Sequence, residues 1–180
     1  MEFRQYTQND AAAIECLFRS VFTKSEGEAE GELVGNLAKE LMIETAEDDL
    51  YGFVAVEQEQ IVGSIFFSRV TIEGNSEIEC FILAPVAVHS DFQGKGIGQR
   101  LINHGLNALR EKQVNVVLTY GDPRYYCKVG FQSISHEVIR APFKLSQPEG
   151  WLGQSLVGDA IDTISGRCMC VNAWSNPIYW

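Results

Sequence analysis

Three glycines at alternate positions form the part of this sequence with the clearest chemical meaning. Gly94, Gly96 and Gly98 follow an apolar, strand-like run and come directly before a helical pattern. Glycine lets a backbone pass close to a ligand and adopt a positive φ. The N–H groups of such a turn, at the N-terminus of a helix, converge on an anion. The turn is therefore predicted to bind the phosphates of a nucleotide-like cofactor, with Lys95 adding a positive charge. A tight turn without a ligand is the alternative.

The spacing of these glycines separates the turn from two other phosphate-binding loops. A dinucleotide fingerprint requires G-x-G-x-x-G, whereas the glycines here fall in the order G-x-G-x-G. A P-loop requires Ser or Thr directly after its lysine, but Gly96 follows Lys95. Neither loop fits.

Composition narrows the class of protein further. The chain has 180 residues and a formal net charge of −10, which argues against binding to nucleic acid or to an anionic membrane surface. This charge is compatible with a cationic, amine-bearing substrate, or it serves only solubility. Five cysteines without a regular spacing, and no histidine cluster, predict reduced thiols and no metal site. The N-terminus lacks a signal-peptide core, and no apolar run is long enough to span a membrane, so we expect a cytoplasmic protein.

Alternating helical and strand patterns predict one α/β domain over residues 1–180 with a mixed sheet. Helices are predicted from a capping box at Thr7 and Asp10 through Phe22, over residues 33–42, and over residues 96–112. The glutamate-rich stretch 24–31 is predicted to be a loop. Strands are predicted at residues 3–6, 51–56, 61–70, 77–88, 115–120, 131–140 and 167–173. A short helix is expected to end at Gly130. Residues 141–166 are predicted to form a long excursion with one helical turn.

Two segments carry a resemblance to a known family. The sequence resembles the GNAT superfamily of acetyl-CoA-dependent N-acyltransferases, whose signature after the fourth strand is R/Q-x-x-G-x-G/A. Gln93-Gly94-Lys95-Gly96-Ile97-Gly98 matches that signature at every defined position. Tyr125-Tyr126-Cys127-Lys128-Val129-Gly130-Phe131 is similar to the family's Y-x-x-x-G-F segment after strand five. With the preceding Gly121-Asp122-Pro123, it looks like one bacterial branch of small GNAT proteins. The resemblance covers residues 1 to about 135 well and the remainder poorly.

The resemblance implies a fold and a cosubstrate. The implied fold is the α/β GNAT fold, a mixed and mostly antiparallel sheet that is splayed at strand four and flanked by helices. Acetyl-CoA is the implied cosubstrate, with no metal. Its binding residues would be Val86, Ala87 and Val88 at the acetyl group, and Gln93, Gly94, Lys95, Gly96, Ile97 and Gly98 at the pyrophosphate. The excursion at residues 141–166 would then lie near the substrate side. Dimerisation is common in similar proteins, so a homodimer is one of the implied states.

The implied reaction is direct attack of a primary amine on the acetyl group, and it needs an acid and a base. The amine would belong to a small molecule or to a protein or peptide. Tyr126 lies four residues before Gly130, where many relatives place the tyrosine that protonates the departing CoA thiolate. Packing against Phe131 is the alternative role for Tyr126.

Several carboxylates are candidates for the base. Glu79 is the first, because it lies on the strand that leads to the acetyl carbonyl, and Glu77 is the second. Glu26 and Glu30 of the acidic stretch could instead bind or deprotonate a cationic substrate, and plain solvation is the alternative for all four. A covalent role for Cys127 is disfavoured, because no base can be assigned to it.

Two other functions stay open. The protein could be an acyl-CoA-binding sensor or interaction module without turnover, or an acyltransferase that uses another acyl donor or a hydroxyl acceptor. Turnover on a panel of amines would distinguish an N-acetyltransferase from a binding module. A panel of acyl donors would distinguish it from an acyltransferase of the second kind.

Overall fold

The computed structural model describes all 180 residues and contains four α-helices and eight β-strands. The helices are α1 (Ala11–Glu26), α2 (Glu28–Glu44), α3 (Ile97–Glu111) and α4 (Pro123–Tyr126). The strands are β1 (Glu2–Gln5), β2 (Leu50–Glu57), β3 (Gln60–Ile72), β4 (Cys80–Val88), β5 (Val116–Tyr120), β6 (Gln132–Ser133), β7 (Trp151–Ser155) and β8 (Cys168–Cys170).

All eight strands belong to one sheet, in the order β1-β2-β3-β4-β5-β7-β6, with β8 paired to β3. Strands β4 and β5 run parallel, whereas the pairs β1–β2, β3–β8, β5–β7 and β6–β7 are antiparallel. The predicted α/β fold with a mixed, mostly antiparallel sheet is therefore confirmed. None of the helices is both long and apolar enough to cross a membrane.

The chain divides into two compact units. Unit 1 comprises residues 1–67 and 85–105, and unit 2 comprises residues 68–84 and 106–180. Strands β3 and β4 and helix α3 each contribute residues to both units. A single functional domain over residues 1–180 stays a prediction.

In unit 1, helices α1 and α2 pack against each other and bury their apolar faces. Phe18 of α1 is fully buried and stacks on Phe66 of β3 with ring centroids 6.0 Å apart. The predicted loop at residues 24–31 is wrong, because Gly27 alone, with φ of +104°, separates the two helices. Gly31 lies inside α2, and a Cβ there would lie 2.7 Å from the Arg19 carbonyl oxygen. Close packing of α2 on α1 therefore accounts for that glycine.

The strands predicted at residues 51–56 and 61–70 are present as β2 and β3, which are neighbours in the sheet. Strands β2 and β3 are joined by Gln58 and Glu59, with φ of +48° and +64°. Positive φ at both central residues matches the twist of a two-residue hairpin. The predicted capping box is also present, with the Thr7 N–H donating to Asp10 Oδ2 at 2.7 Å.

In unit 2, strand β5 lies where the sequence predicts it, but one of the strands that pair with it was not predicted. β7 pairs with β5 along its whole length, from Val116↔Ser155 to Tyr120↔Trp151. The predicted excursion at residues 141–166 therefore contains a strand of the sheet. The strands predicted at residues 131–140 and 167–173 shorten to β6 and β8, and the remainder of the first segment forms an isolated bridge, Ile139↔Ile164.

Strand β4 begins later than predicted and pairs with β5 only in part. It starts at Cys80, so Glu77 and Glu79 precede the strand. Its parallel pairing with β5 ends at Ile82↔Leu118, although β4 continues through Pro85 to Val88. The pairing thus stops partway along β4, as expected for the predicted splay.

Candidate functional site

The glycine turn of unit 1 joins the end of β4 to the start of α3. Hydrogen bonds hold its first half: the Phe92 N–H donates to the His89 carbonyl at 2.8 Å, and Gln93 Nε2 donates to the Val88 carbonyl at 2.9 Å. Gly94 and Gly96 have φ of +74° and +73°. Those values are costly for residues with a Cβ, so the turn requires glycine at both positions.

The backbone N–H groups of residues 94–99 have no acceptor within the protein. The first hydrogen bond beyond the turn runs from the Arg100 N–H to the Gly96 carbonyl at 3.1 Å. A Cβ on Gly94 or Gly96 would meet no atom within 4 Å, so the space over both residues is open. Unpaired amides at a helix N-terminus form an anion site. The turn therefore fits the phosphates of a cofactor.

Two lysines of unit 1 bond to the segment that precedes the glycines. Lys95 Nζ donates to the Asp91 carbonyl at 2.9 Å and lies 5.0 Å from the ring centroid of Phe92. Lys24 Nζ donates to Ser90 Oγ at 2.9 Å. These contacts place two ammonium groups beside the turn in a chain of net charge −10.

The last residues of β4 present backbone groups in alternating directions. The His89 N–H donates to the Val62 carbonyl of β3 at 2.8 Å. Successive residues of a strand alternate in direction, so the Val88 N–H points away from β3, and that of Val86 shares its direction. Ala87 lies between them and is buried. A carbonyl group placed beside β4 on that side would find a backbone donor at Val88.

Tyr126 of unit 2 is placed by the short helix α4. Asp122 caps the helix by accepting the Arg124 N–H at 2.9 Å, and Pro123 starts it. Gly130 ends the following 3₁₀ turn with φ of +94°, so the predicted end of this helical segment is confirmed. The Tyr126 ring lies 5.8 Å from the Phe131 ring in an edge-on contact, which is the predicted packing.

The ring of Tyr126 also lies directly over Gly121. A Cβ on Gly121 would be 2.6 Å from Tyr126 Cε2, so only glycine permits this approach. Burial raises the pKa of Tyr126 to about 12. The phenol is therefore protonated at neutral pH and holds a proton that it can donate.

Thr119 is a residue that the sequence predictions did not single out. Its side chain is fully buried, and its Oγ1 donates to the Leu83 carbonyl at 2.8 Å. One polar residue in the apolar run Val116-Val117-Leu118-Thr119 was the feature that could have identified it.

Glu79 precedes β4 in unit 2 and forms an ion pair. Its Oε2 lies 2.5 Å from Arg69 Nη1, and the Arg69 guanidinium lies 4.8 Å from the centre of the Phe81 ring. The Glu79 N–H donates to Asn115 Oδ1 at 2.8 Å, so Glu79 is level with Asn115. Thr119 lies four residues further along β5, which is about 13 Å in a strand. The structure therefore does not bring Glu79 and Tyr126 together.

The remaining candidates lie on the surface or at helix ends. Glu77 and Cys127 are exposed, Glu26 is the last residue of α1, and Glu30 lies in the first turn of α2.

Comparison with known proteins identifies the family. The acetyltransferase (GNAT) domain family matches residues 48–133. The uncharacterised N-acetyltransferase YhbS of Escherichia coli is 30% identical over 158 residues, which cover 87% of this chain and 88% of YhbS. The chain belongs to the GNAT acetyltransferase family.

Two solved structures of the same family resemble the whole chain. The crystal structure of Escherichia coli YhbS in complex with CoA has a TM-score of 0.82 at 26% identity and covers 97% of this chain and 92% of its own. A GNAT family acetyltransferase from Brucella melitensis in complex with acetyl-CoA has a TM-score of 0.75 at 26% identity and covers 96% of each chain. The chain is thus an acyltransferase by family, with relatives that bind CoA and acetyl-CoA.

Proposed function

We propose that the protein transfers an acetyl group from acetyl-CoA to a primary amine by direct attack of that amine. The observation that carries the proposal is the glycine turn, where the N–H groups of residues 94–99 have no acceptor in the protein and the space over Gly94 and Gly96 is open. Relatives crystallised with CoA and acetyl-CoA support the same cosubstrate.

In this proposal the turn binds the pyrophosphate of the cosubstrate, and the end of β4 binds the acyl carbonyl. Gln93, Gly94, Lys95, Gly96, Ile97 and Gly98 form the first set, and Val86, Ala87 and Val88 form the second. When bound, acetyl-CoA supplies the acetyl group as a thioester. The Val88 N–H then donates a hydrogen bond to the carbonyl oxygen where negative charge develops. A fixed donor of this kind typically contributes about 10²–10³ in rate.

Tyr126 is the proposed general acid. Its phenol is protonated at neutral pH, because burial raises its pKa to about 12. As the bond between the acetyl carbon and sulfur breaks, the Tyr126 proton moves to the leaving sulfur. General acid help of this kind contributes about 10²–10⁴ in rate.

Glu79 is the proposed general base, and it acts through water. The span of about 13 Å along β5 between Asn115 and Thr119 is too long for direct contact with an amine near Tyr126. Arg69 fixes the Glu79 carboxylate in one position through their ion pair. The acceptor is proposed to be an amine of a small molecule or of a peptide.

The first experiment measures donor binding and turnover on the same protein. A thermal shift series with acetyl-CoA, CoA, ATP and NAD should give stabilisation by the CoA species alone. At a hundredfold excess over Kd, the gain is about 2.7 kcal/mol. A larger shift from ATP or NAD would contradict the cosubstrate assignment.

Turnover is then measured as CoA thiol released on a broad panel of amines. The variant Tyr126→Phe should lower kcat about 100-fold and leave the Kd of acetyl-CoA unchanged. Tyr125→Phe is the matched control, because its ring lies 5.1 Å from that of Tyr126 and it removes the neighbouring hydroxyl. Equal losses in the two variants would remove Tyr126 from the mechanism. CoA binding without turnover on any amine would favour the binding module.

A further inference from the structure

Three tryptophans of unit 2 pack together, and one of them differs from the others in its hydrogen bonding. The rings of Trp151 and Trp174 lie 6.2 and 5.9 Å from the ring of Trp180, both in edge-on contact. Trp151 Nε1 donates to the Ile139 carbonyl at 2.9 Å, and Trp180 Nε1 donates to the Trp174 carbonyl at 3.2 Å. Trp174 is also buried, with 5% of its surface exposed, but its Nε1 donates to no acceptor in the protein. A buried donor without an acceptor is costly, so this N–H calls for a partner.

Trp174 lines a cavity of about 200 Å³ in the same unit. A cavity of that volume has room for several waters or for one small organic molecule. Pro142, Phe143 and Met169 contribute apolar side chains to its wall, and Met169 is 48% exposed. The Phe143 ring packs 6.0 Å from the Trp180 ring, so this wall is continuous with the aromatic cluster. The cavity therefore offers an apolar surface to the body of a ligand.

Arg167 is the charged residue among those that line the cavity. The guanidinium of an arginine presents several N–H donors in a plane, which matches the two oxygens of a carboxylate. Cys168 and Cys170 also line the cavity, and burial raises the pKa of their thiols to about 11 and about 12. Both thiols are therefore neutral near pH 7, and the lining carries a positive charge without a negative one.

We propose that this cavity binds a small carboxylic acid with an apolar body. The carboxylate accepts hydrogen bonds from the Arg167 guanidinium and from Trp174 Nε1, and the body of the ligand packs against Phe143 and Met169. An indole N–H can only donate, so the ligand must bring the acceptor, and the neighbouring positive charge favours an ionised one. The site shares no residue with the glycine turn, and the inference does not depend on the proposed reaction.

The first test follows the indole N–H signals of the three tryptophans by NMR while isotope-labelled protein is titrated with benzoate. The Trp174 signal, identified by its loss in Trp174→Phe, should move in a saturable way as its N–H gains an acceptor. The signals of Trp151 and Trp180 are internal controls that should move less, because both N–H groups already donate to carbonyls. If Trp174→Phe does not fold, sequential assignment of the wild type identifies the same signal.

A Trp174 signal that stays in place at high benzoate concentration would overturn the inference. The N–H would then be satisfied by water or by the ring of Tyr179, whose centroid lies 5.3 Å from that of Trp174.

Related probes test which part of benzoate is recognised. Benzamide keeps the ring and removes the charge, benzylamine reverses the charge, and inorganic phosphate is an anion without an apolar body. Each should bind at least tenfold more weakly than benzoate. Equal binding of benzamide or phosphate would contradict the assignment of an apolar carboxylic acid.

A pair of arginine variants tests the charge. Arg167→Gln should raise the Kd of benzoate about tenfold, because it removes the charged donor from the cavity wall. Arg110→Gln is the matched control, since Arg110 is an exposed arginine of α3 in unit 2 and does not line the cavity. Both arginines are exposed, so neither variant should disturb folding. Equal Kd values for the two variants would reject Arg167 as the carboxylate partner and overturn the inference.

Discussion

Gln93 donates from Nε2 to the carbonyl oxygen of Val88 at 2.9 Å. The first residue of the glycine motif therefore ties the turn back to the end of β4 within unit 1. This bond fixes the path of the chain into Gly94 and Gly96, whose positive φ values set the direction of the N–H groups that follow. Binding of the proposed cosubstrate should therefore depend on the shape of this backbone more than on any charged side chain.

Gly96→Ala should lower the affinity for CoA at least tenfold, because alanine at a φ of +73° turns the neighbouring amides. Gly74→Ala is the matched control. Gly74 has a φ of +80°, and a Cβ there also meets no atom within 4 Å. Both variants should lose about 1–2 kcal/mol of stability. Calorimetric titration with CoA should show weakened binding for Gly96→Ala alone, and equal binding by the two variants would contradict the pyrophosphate assignment.

Gly121→Ala should lower kcat about tenfold and leave the affinity for acetyl-CoA unchanged. The new Cβ would stand 2.6 Å from Tyr126 Cε2, so the phenol ring must move. A general acid that is out of position lowers the reaction rate, because its proton no longer lies beside the leaving sulfur. Gly158→Ala is the control, because its Cβ would meet only Ser155 Oγ, at 3.9 Å. Steady-state kinetics on one amine would test this prediction, and an unchanged kcat would show that the ring position has no part in the rate.

Glu79→Gln should lower kcat at least tenfold if the carboxylate accepts a proton through water. Glu77→Gln, two residues earlier and exposed, should leave kcat unchanged. The Glu79 variant also breaks the ion pair with Arg69, so thermal unfolding must be measured alongside the rate. Lower stability with an unchanged kcat would assign Glu79 to the ion pair and leave the base to another group.

The pair of Arg4 and Asp10 should make stability depend on acidic pH. Hydrogen bonds from the Arg4 guanidinium lower the pKa of Asp10 from 3.8 to about 2. Because folding lowers the pKa of Asp10, its ionised carboxylate stabilises the folded state at pH values above the ordinary pKa. That stabilisation is lost as pH falls from about 4 to 2. Asp10→Asn should therefore cost about 2 kcal/mol near pH 6 and much less near pH 2. Denaturant unfolding of the wild type and the variant near pH 6 and near pH 2 measures the difference in their free energies of unfolding. An equal difference at both pH values would contradict the dependence of stability on Asp10 ionisation.

Local patterns in the sequence predicted the elements that build the glycine turn. The apolar run before Gly94 and the helical period after Gly98 depend on neighbouring residues, so β4 and α3 were placed within a few residues of their true bounds. The hairpin at Gln58 and Glu59 is equally local. The C-terminal part was harder, because Trp151–Ser155 becomes a strand only through its pairing between β5 and β6.

The candidate-site residues that lie in a sequence motif could be predicted, whereas contacts between residues that are distant in sequence could not. Tyr126 follows from its spacing to Gly130, but the close approach of its ring to Gly121 depends on how α4 folds after β5. The ion pair of Glu79 with Arg69 joins two segments ten residues apart in sequence, and no pattern indicated it. The stretch 24–31 was predicted to be a loop, whereas Gly27 alone separates the two helices.

The single-residue connection at Gly27 has a consequence for how this protein can diversify. Surface loops usually accept insertions, which makes loop length a common route to new specificity. One residue added at Gly27 would instead rotate the start of α2 by about 100° relative to its buried face. Gly31 and Gly35 would then leave their contacts with Arg19 and Thr23. Variants of this helix pair are therefore expected to differ in side chains and to keep the same length, both in natural descent and in directed libraries.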